Sequence, residues 1–406
     1  MKQIICYTLL ILLILTACGE KVADSSSPLS SEPVITNTEI PLGEMLEDAE
    51  KPYEGVIYSE DNVYTFGKDK HLDLKDDTKT INILGDSISY GANSGKVYNY
   101  SWASLFKYSV NNSLGTNNHG FASLLDHTGG SYANEEIHTV TAESGTWEFK
   151  NLVPYAPGFC TYTCPSGTGS TLLIKLDRRA DGLKRSINGF YIHYLQLPAA
   201  GSFHVTINGK KVATLDTYGA TNYFAKTKYI AIPEEFGNEI EIRISKVDAH
   251  LLAITGITYA ESDGGAAVNN YSVPSLALTD IEDDTLKGIA NTDYLILSLG
   301  FNDAINNKSI DKFKEKLSII TAACRENDTT LLVVDFLWLE NAAKYSEALS
   351  DAAAVADGYY LDLRSLASVS DAEFLTDHAH PNLIGHRAIA RAVSYLFSVP
   401  FSSEVK

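Results

Sequence analysis

Three clusters, far apart in the chain, hold four residues whose types suit nucleophilic catalysis. Ser87 lies in INILGDSISYG (81–91), where an apolar run ends on Gly85-Asp86-Ser87. Asn302 lies in Gly300-Phe301-Asn302-Asp303, straight after DYLILSL. Asp377 and His380 lie in Asp377-His378-Ala379-His380-Pro381, just before the last apolar-periodic segment. A serine hydroxyl is a poor nucleophile until a base takes its proton, and that base needs a partner to fix its tautomer. Asp377 and His380, three apart in a pre-helix loop, can supply orienter and base from one turn. The oxyanion that forms during attack needs hydrogen-bond donors, which the Asn302 side chain and the Ser87 backbone N–H can offer. No set of Cys and His is spaced for a zinc site, and the chemistry calls for no metal or organic cofactor.

Those residues need elements to hold them. KTINILG (79–85), DYLILSLG (293–300), TLLVVDF (330–336) and GYYLDLR (358–364) are short apolar runs of the buried parallel type. Amphipathic stretches separate or follow them: SWASLFKYSVNNSLG (101–115), IDKFKEKLSIITAAC, ENAAKYSEALSDAAAVA and NLIGHRAIARAVSYLF. Strands alternating with helices predict a parallel α/β sheet covered on both faces. Ligand chemistry in such sheets collects at the carboxyl ends of the strands, where all three polar clusters fall. Residues 137–262 have another texture. FYIHYLQL, GSFHVTINGKKVATLDT, KYIAI and EIEIRISKV alternate apolar with polar residues, and Asn208-Gly209 marks a hairpin. This predicts a β-sandwich, jelly-roll-like, inserted into the α/β domain, whose two parts are then 51–136 and 263–406.

Gly-Asp-Ser, Gly-x-Asn-Asp and Asp-x-x-His, in that order, resemble blocks I, III and V of the SGNH (GDSL-type) hydrolases. The resemblance covers about 79–135 and 265–398. It implies a flavodoxin-like three-layer α/β/α fold and ester cleavage. Ser87 is then nucleophile, His380 general base and acid, Asp377 its orienter and Asn302 an oxyanion donor. Block II supplies a further backbone N–H, with Gly265 in DGGAAV preferred and Ser275 in NNYSVPSLAL the alternative; Gly120 in NHGF falls too early. The layout, with a β insertion between nucleophile and dyad, is similar to exported peptidoglycan O-acetylesterases, which carry a carbohydrate-binding-module-like domain. The implied substrate is an acetylated glycan or small ester. The alternatives are a lipid or thioester acylhydrolase, an acyl transferase, or a glycan-binding lipoprotein on a decayed scaffold.

Each residue has a plainer reading too. Ser87 could cap a helix. Asp86 and Asp303 read as turn supports, and His378 and His386 as solvated or packing residues. Tyr155, Phe159 and Tyr162 read as sandwich packing before a sugar platform. Cys324 reads as a core residue. Cys160 and Cys164, in a Gly/Pro/Ser-rich loop, are expected to be either a local disulfide or two thiols.

The N-terminus carries Lys2, the apolar YTLLILLILTA and then Cys18. Residues 15–18, Leu-Thr-Ala-Cys, match the lipobox of bacterial lipoproteins, which implies cleavage after residue 17 and a lipid on Cys18. Residues 18–50, rich in Ser, Pro, Thr and Glu, read as a flexible tether. Such a protein sits in the bacterial cell envelope and meets membrane only through its anchor. The formal charge is −19, and a surface of that sign repels nucleic acid and anionic lipid alike.

Overall fold

In the computed structural model the described residues are 63–65, 72, 74, 78 and 80–402, less 96, 117, 125–137, 166, 179–186, 261–265, 365–374 and 378. Cys18, the signal and tether segments, His378 and Gly265 lie outside them. All described residues belong to the unit Pro52–Lys406.

In chain order the first part holds β1 (Val63–Thr65), β2 (Thr80–Gly85), the short helices α1 (Ser87–Tyr90) and α2 (Val97–Tyr100), and the long α3 (Trp102–Leu114). Ten strands and one two-residue strand follow: β3 (Gly120–Ser123), β4 (His138–Ser144), β5 (Glu148–Asn151), β6 (Cys160–Cys164), β7 (Thr171–Asp177), β8 (Gly189–Tyr194), β9 (Ser202–Ile207), β10 (Lys210–Asp216), β11 (Ile230–Ala231), β12 (Glu239–Lys246) and β13 (Leu252–Tyr259). The last part alternates: β14 (Ala267–Asn270), α4 (Asp283–Ile289), β15 (Tyr294–Ser298), α5 (Phe301–Ile305), α6 (Ile310–Glu326), β16 (Thr330–Asp335), α7 (Ala343–Val355), β17 (Tyr359–Asp362) and α8 (Leu383–Leu396).

The central sheet has the order β1-β17-β16-β15-β2-β14. Its last five members pair in parallel and β1 closes the far edge antiparallel. Numbered by chain order among themselves, the parallel strands run 2-1-3-4-5, the flavodoxin-like arrangement. The expected runs become these strands because they are apolar throughout and buried on both faces: Ile81, Ile83 and Leu84 of β2 are fully buried, as are Leu295, Ile296 and Leu297 of β15. At about 1.5–3 kcal/mol per buried aliphatic side chain, these strands make a stiff floor, and the turns at their carboxyl ends inherit its rigidity. The helices start where side chains can satisfy their first N–H groups. Ser101 accepts from the Ser104 N–H, Ser309 from Lys312 and Asn382 from Gly385. On the helical layers α3 packs with α8, α4 with α6, and α6 with α7.

Between the two parts lie two antiparallel sheets, β10-β9-β12-β7-β4 and β11-β8-β13-β6-β5, with β3 added against β13. The alternation read in the sequence is the alternation of burial. In β9, Phe203, Val205 and Ile207 are buried, and in β12 so are Ile240, Ile242 and Ile244. The hairpin turns at Asn208 (φ 46°) and Gly209 (φ 81°), both left-handed as a type I′ turn requires.

Two expectations are corrected here. Cys160 and Cys164 are not a disulfide, and they do not sit in a loop: they are the two ends of β6, and both thiols are buried. Four residues of extended chain span ~13 Å, about twice the Cα separation a disulfide can bridge. The run LLAITGITYA, inside the expected β insertion, is β13, buried along all eight residues at the centre of an antiparallel sheet. A continuous apolar run says only that both faces are covered, and here the cover is antiparallel. The parallel edge strand is β14, four residues long. Finally, β3 begins at Gly120, so the antiparallel pairing reaches into the chain before residue 137.

Candidate active site

Ser87 stands two residues beyond the carboxyl end of β2, as the first residue of α1. It is not the helix cap. Asp86 takes that role, its Oδ1 accepting the Ile88 N–H at 3.0 Å, which leaves the Ser87 hydroxyl for other partners. Ser87 is largely buried, with 9% of its surface exposed. His380 Nε2 lies 2.9 Å from Ser87 Oγ, and His380 Nδ1 lies 2.8 Å from Asp377 Oδ2 and 3.1 Å from Oδ1. Because Asp377 can only accept when ionised, the proton sits on Nδ1 and Nε2 is left to accept from the serine hydroxyl. Asp377 is further held by backbone N–H groups of its own turn, from His380 at 2.8 Å and Ala379 at 3.2 Å. Partial burial pushes the Asp377 pKa up, but the hydrogen bonds and positive end of His380 outweigh it and leave the carboxyl below its ordinary value. Residues separated by nearly three hundred positions are thus joined in one serine–imidazole–carboxylate chain.

Asn302 lies in the first turn of α5, past the carboxyl end of β15. Its Nδ2 donates to Leu276 O at 3.1 Å and approaches Asp86 Oδ2 at 3.4 Å. The amide is therefore beside the serine turn.

Its neighbour Asp303 is fully buried and accepts the N–H groups of Leu278 (2.8 Å) and Thr279 (3.1 Å). Burial raises its pKa against the pull of those two bonds. Asp303 thus fastens the segment after β14 to the Asn302 turn, a wider role than support of Asn302 alone.

That segment decides block II. Ala267 of β14 pairs with Thr80 at the start of β2, and Asn270 with Ile83 near its end. The residues at the Ser87 end of the sheet are consequently those after Asn270, and Gly265 precedes the strand. Ser275 is in the loop that follows, exposed, with φ at 66°. It holds the left-handed conformation that glycine adopts without cost. Leu276, which accepts from Asn302, is the next residue. Of the two block II candidates, Ser275 is the one within the described residues; Gly265 lies outside them.

Among the other residues singled out, His386 is not solvated: it is fully buried on α8. Phe159 and Tyr162 are core residues, while half-buried Tyr155 pairs with Tyr223 at 5.5 Å between ring centroids. Cys324 is buried in α6, and burial pushes its thiol up to about 12. Among the described residues no cluster of His, Cys, Asp and Glu is arranged to hold a metal ion.

Beneath the serine, Asp86 has its pKa raised to about 7, chiefly by burial, with the Ile88 N–H opposing and the charge of Asp303 adding. Its folded value lies above its unfolded one, so the folded protein binds the extra proton between about pH 4 and 7. Stability from this group is complete below that window and is lost as pH rises through it. Asp86→Asn keeps an acceptor for Ile88 and has no such slope. Relative to wild type it is expected to gain on the order of 4 kcal/mol between pH 4 and pH 8. Guanidinium midpoints of both proteins at the two pH values measure this; parallel pH dependence would refute it.

No protein-family model matches the sequence, and no curated protein matches it. Among solved structures, a peptidoglycan O-acetylesterase aligns with a TM-score of 0.56 at 15% identity, covering 80% of this chain and 91% of that one. A psychrotrophic esterase from Pseudoalteromonas aligns at 0.29 with 11% identity over 33% of this chain and 77% of that one. A family two carbohydrate esterase from Clostridium thermocellum, in complex with cellohexaose, aligns at 0.24 with 10% identity over 63% and 97%. Only the first likeness is large enough to argue from, and at its identity it speaks to fold. With its 2-1-3-4-5 parallel sheet, the chain has a flavodoxin-like α/β/α fold, shared with that first structure.

Proposed function

We propose that this protein is a serine esterase that removes O-acetyl or other short acyl groups from a carbohydrate polymer. The observation that carries the proposal is the hydrogen-bond chain Ser87 Oγ–His380–Asp377 at 2.9 and 2.8 Å. In the first half-reaction Ser87 Oγ bonds to the acyl carbon as its proton passes to His380 Nε2. The imidazolium is stabilised by Asp377. The oxyanion accepts from the Ser87 N–H, from Asn302 Nδ2 and, with Ser275 as the block II residue, from its N–H. His380 then returns the proton to the departing sugar oxygen, and the C–O bond breaks to leave an acyl-enzyme. In the second half water gives its proton to His380, attacks the acyl carbon and releases acetate, and the proton goes back to Ser87.

The glycan class rests on the likeness to a peptidoglycan O-acetylesterase and on an acidic chain suited to neutral better than to polyanionic polymers. Steady-state hydrolysis of p-nitrophenyl acetate against the octanoate, followed by acetate release from O-acetylated peptidoglycan and xylan, tests the reading. Acetate is the expected preferred ester. A preference for octanoate would move the protein to the lipid acylhydrolases.

The lipobox-like residues 15–18 support an envelope anchor through a lipid on Cys18. Palmitate labelling of the expressed protein is expected to vanish in Cys18→Ala; retained labelling would contradict the anchor.

A further inference from the structure

Nearly all the hydrogen bonds of Asp377 come from its own turn. Among the described residues one arrives from elsewhere: Asn93 Nδ2 donates to Asp377 Oδ2 at 3.5 Å, the same oxygen that takes the His380 Nδ1–H. About half of the Asp377 side chain is exposed, so without a second tether the carboxylate can turn toward water. Asn93 belongs to the turn that follows the Ser87 helix. Its backbone is left-handed, φ 64°, a conformation asparagine tolerates better than most residues.

The turn is held at the preceding residue. The Ala92 N–H donates to Ser87 O at 2.9 Å, and the Ala92 carbonyl accepts from His386 Nε2 at 3.0 Å. The tautomer of His386 is dictated by its partners. Its Nδ1 faces the Trp102 N–H at 3.3 Å, a donor, so Nδ1 must accept and the hydrogen must be on Nε2. Burial lowers its pKa to about 4, against the Ala92 carbonyl and with a smaller push from His380, so this neutral form persists wherever an esterase base would work.

We propose that Asn93 and His386 are positioning residues. His386 clips the Ala92 carbonyl, this sets Asn93, and the Asn93 amide steadies the outer oxygen of Asp377 and with it the aim of His380 at Ser87. The proposal rests on the esterase reading for its catalytic readout. The brace joins the two chain segments that carry the site: the turn after the nucleophile, and the loop and helix that carry the dyad. Exposed Asn93 adds nothing to the core, so a purely structural account predicts only the stability cost of an alanine at left-handed φ, with the His380 midpoint unmoved.

The test uses the full chain, with two readouts. In the first, NMR follows the titration of the His380 imidazole, which needs no turnover. Asn93→Ala removes a donor from Asp377 and should raise the His380 midpoint. Asn93→Asp sets a second carboxylate there and should raise it further. In the second, p-nitrophenyl acetate kinetics of Asn93→Ala should show kcat lowered roughly three- to tenfold with KM unchanged. His386→Phe fills the buried site but gives Ala92 no donor and the Trp102 N–H no acceptor. Its loss should not add to that of Asn93→Ala in the double variant, because both act on one contact. A wild-type midpoint and kcat in Asn93→Ala would overturn the proposal. Additive losses would overturn the part assigned to His386. If His386→Phe does not fold, the Asn93 variants still decide. If the wild-type protein hydrolyses no ester, the functional reading fails, and the NMR midpoints still test the brace.

Discussion

Ser87→Ala is expected to lower hydrolysis of p-nitrophenyl acetate by roughly 10⁴- to 10⁶-fold in kcat. His380→Ala is expected to do nearly the same, and the double variant to be little worse than either. Nucleophile and base act as one unit: a serine without its base keeps its proton, and a base without its serine has nothing to activate. The 2.9 Å contact between Oγ and Nε2 is the geometric reason to expect this non-additivity. The folded state should be almost unaffected. Ser87 loses one hydroxyl in a turn whose cap is Asp86, so thermal midpoints of wild type and Ser87→Ala should agree closely. Residual activity within tenfold of wild type would remove Ser87 from the mechanism. Additive losses would mean that the two residues serve separate steps.

The largest effect on stability is expected at Gly120. A Cβ built there would lie 1.9 Å from the carbonyl oxygen of Val268 and 2.9 Å from its carbon, and the backbone is at φ 73°. Val268 is in β14 and Gly120 opens β3, so the glycine is where the antiparallel region lies directly against the edge of the parallel sheet. Neither backbone can yield without breaking its own ladder. Gly120→Ala is therefore expected to cost roughly 3–5 kcal/mol, the sum of a left-handed alanine and forced separation of two strands. Gly115→Ala is the control. That glycine ends α3 at φ 66° with nothing within 4 Å of its Cβ position, so it should lose only about 1–2 kcal/mol, the conformational part. Guanidinium unfolding of the two variants gives the comparison. Equal losses would show that the contact with Val268 relaxes freely. A large loss at Gly120 only would also be expected to disturb esterase activity, because β14 leads straight into the Ser275 loop.

The sequence by itself determined the strands, the long helices and the four residues around which the proposed chemistry is built. The parallel strands were legible because a strand buried on both faces must be apolar throughout, as in TINILG and TLLVVD. The helices were legible at their ends, where Ser101 caps and Gly115 stops α3. Ser87, Asn302, Asp377 and His380 were legible because chemistry demands particular residue types and each falls just past a strand or before a helix. Such signals are local, set by periodicity, capping and the need for a hydroxyl, an imidazole and a carboxylate.

What depends on partners far away in sequence was decided only by the tertiary structure. Ala-Val-Asn-Asn is too short and too polar to announce a strand, so β14, and with it the place of the Ser275 loop beyond the carboxyl end of the parallel edge, follows from its pairing with β2. The apolar run of β13 could serve either kind of sheet, and its neighbours chose the antiparallel one. Cys160 and Cys164 suggested a bridge by nearness along the chain, until extension of β6 set them too far apart. His386 was indistinguishable in sequence from a surface histidine on an amphipathic helix. Its burial, its single tautomer and its reach through Ala92 to Asn93 arise from α8 packing on α3. Spacing along a chain fixes what a residue can do locally, whereas a hydrogen bond across hundreds of residues exists only once the core has brought both ends to the same place.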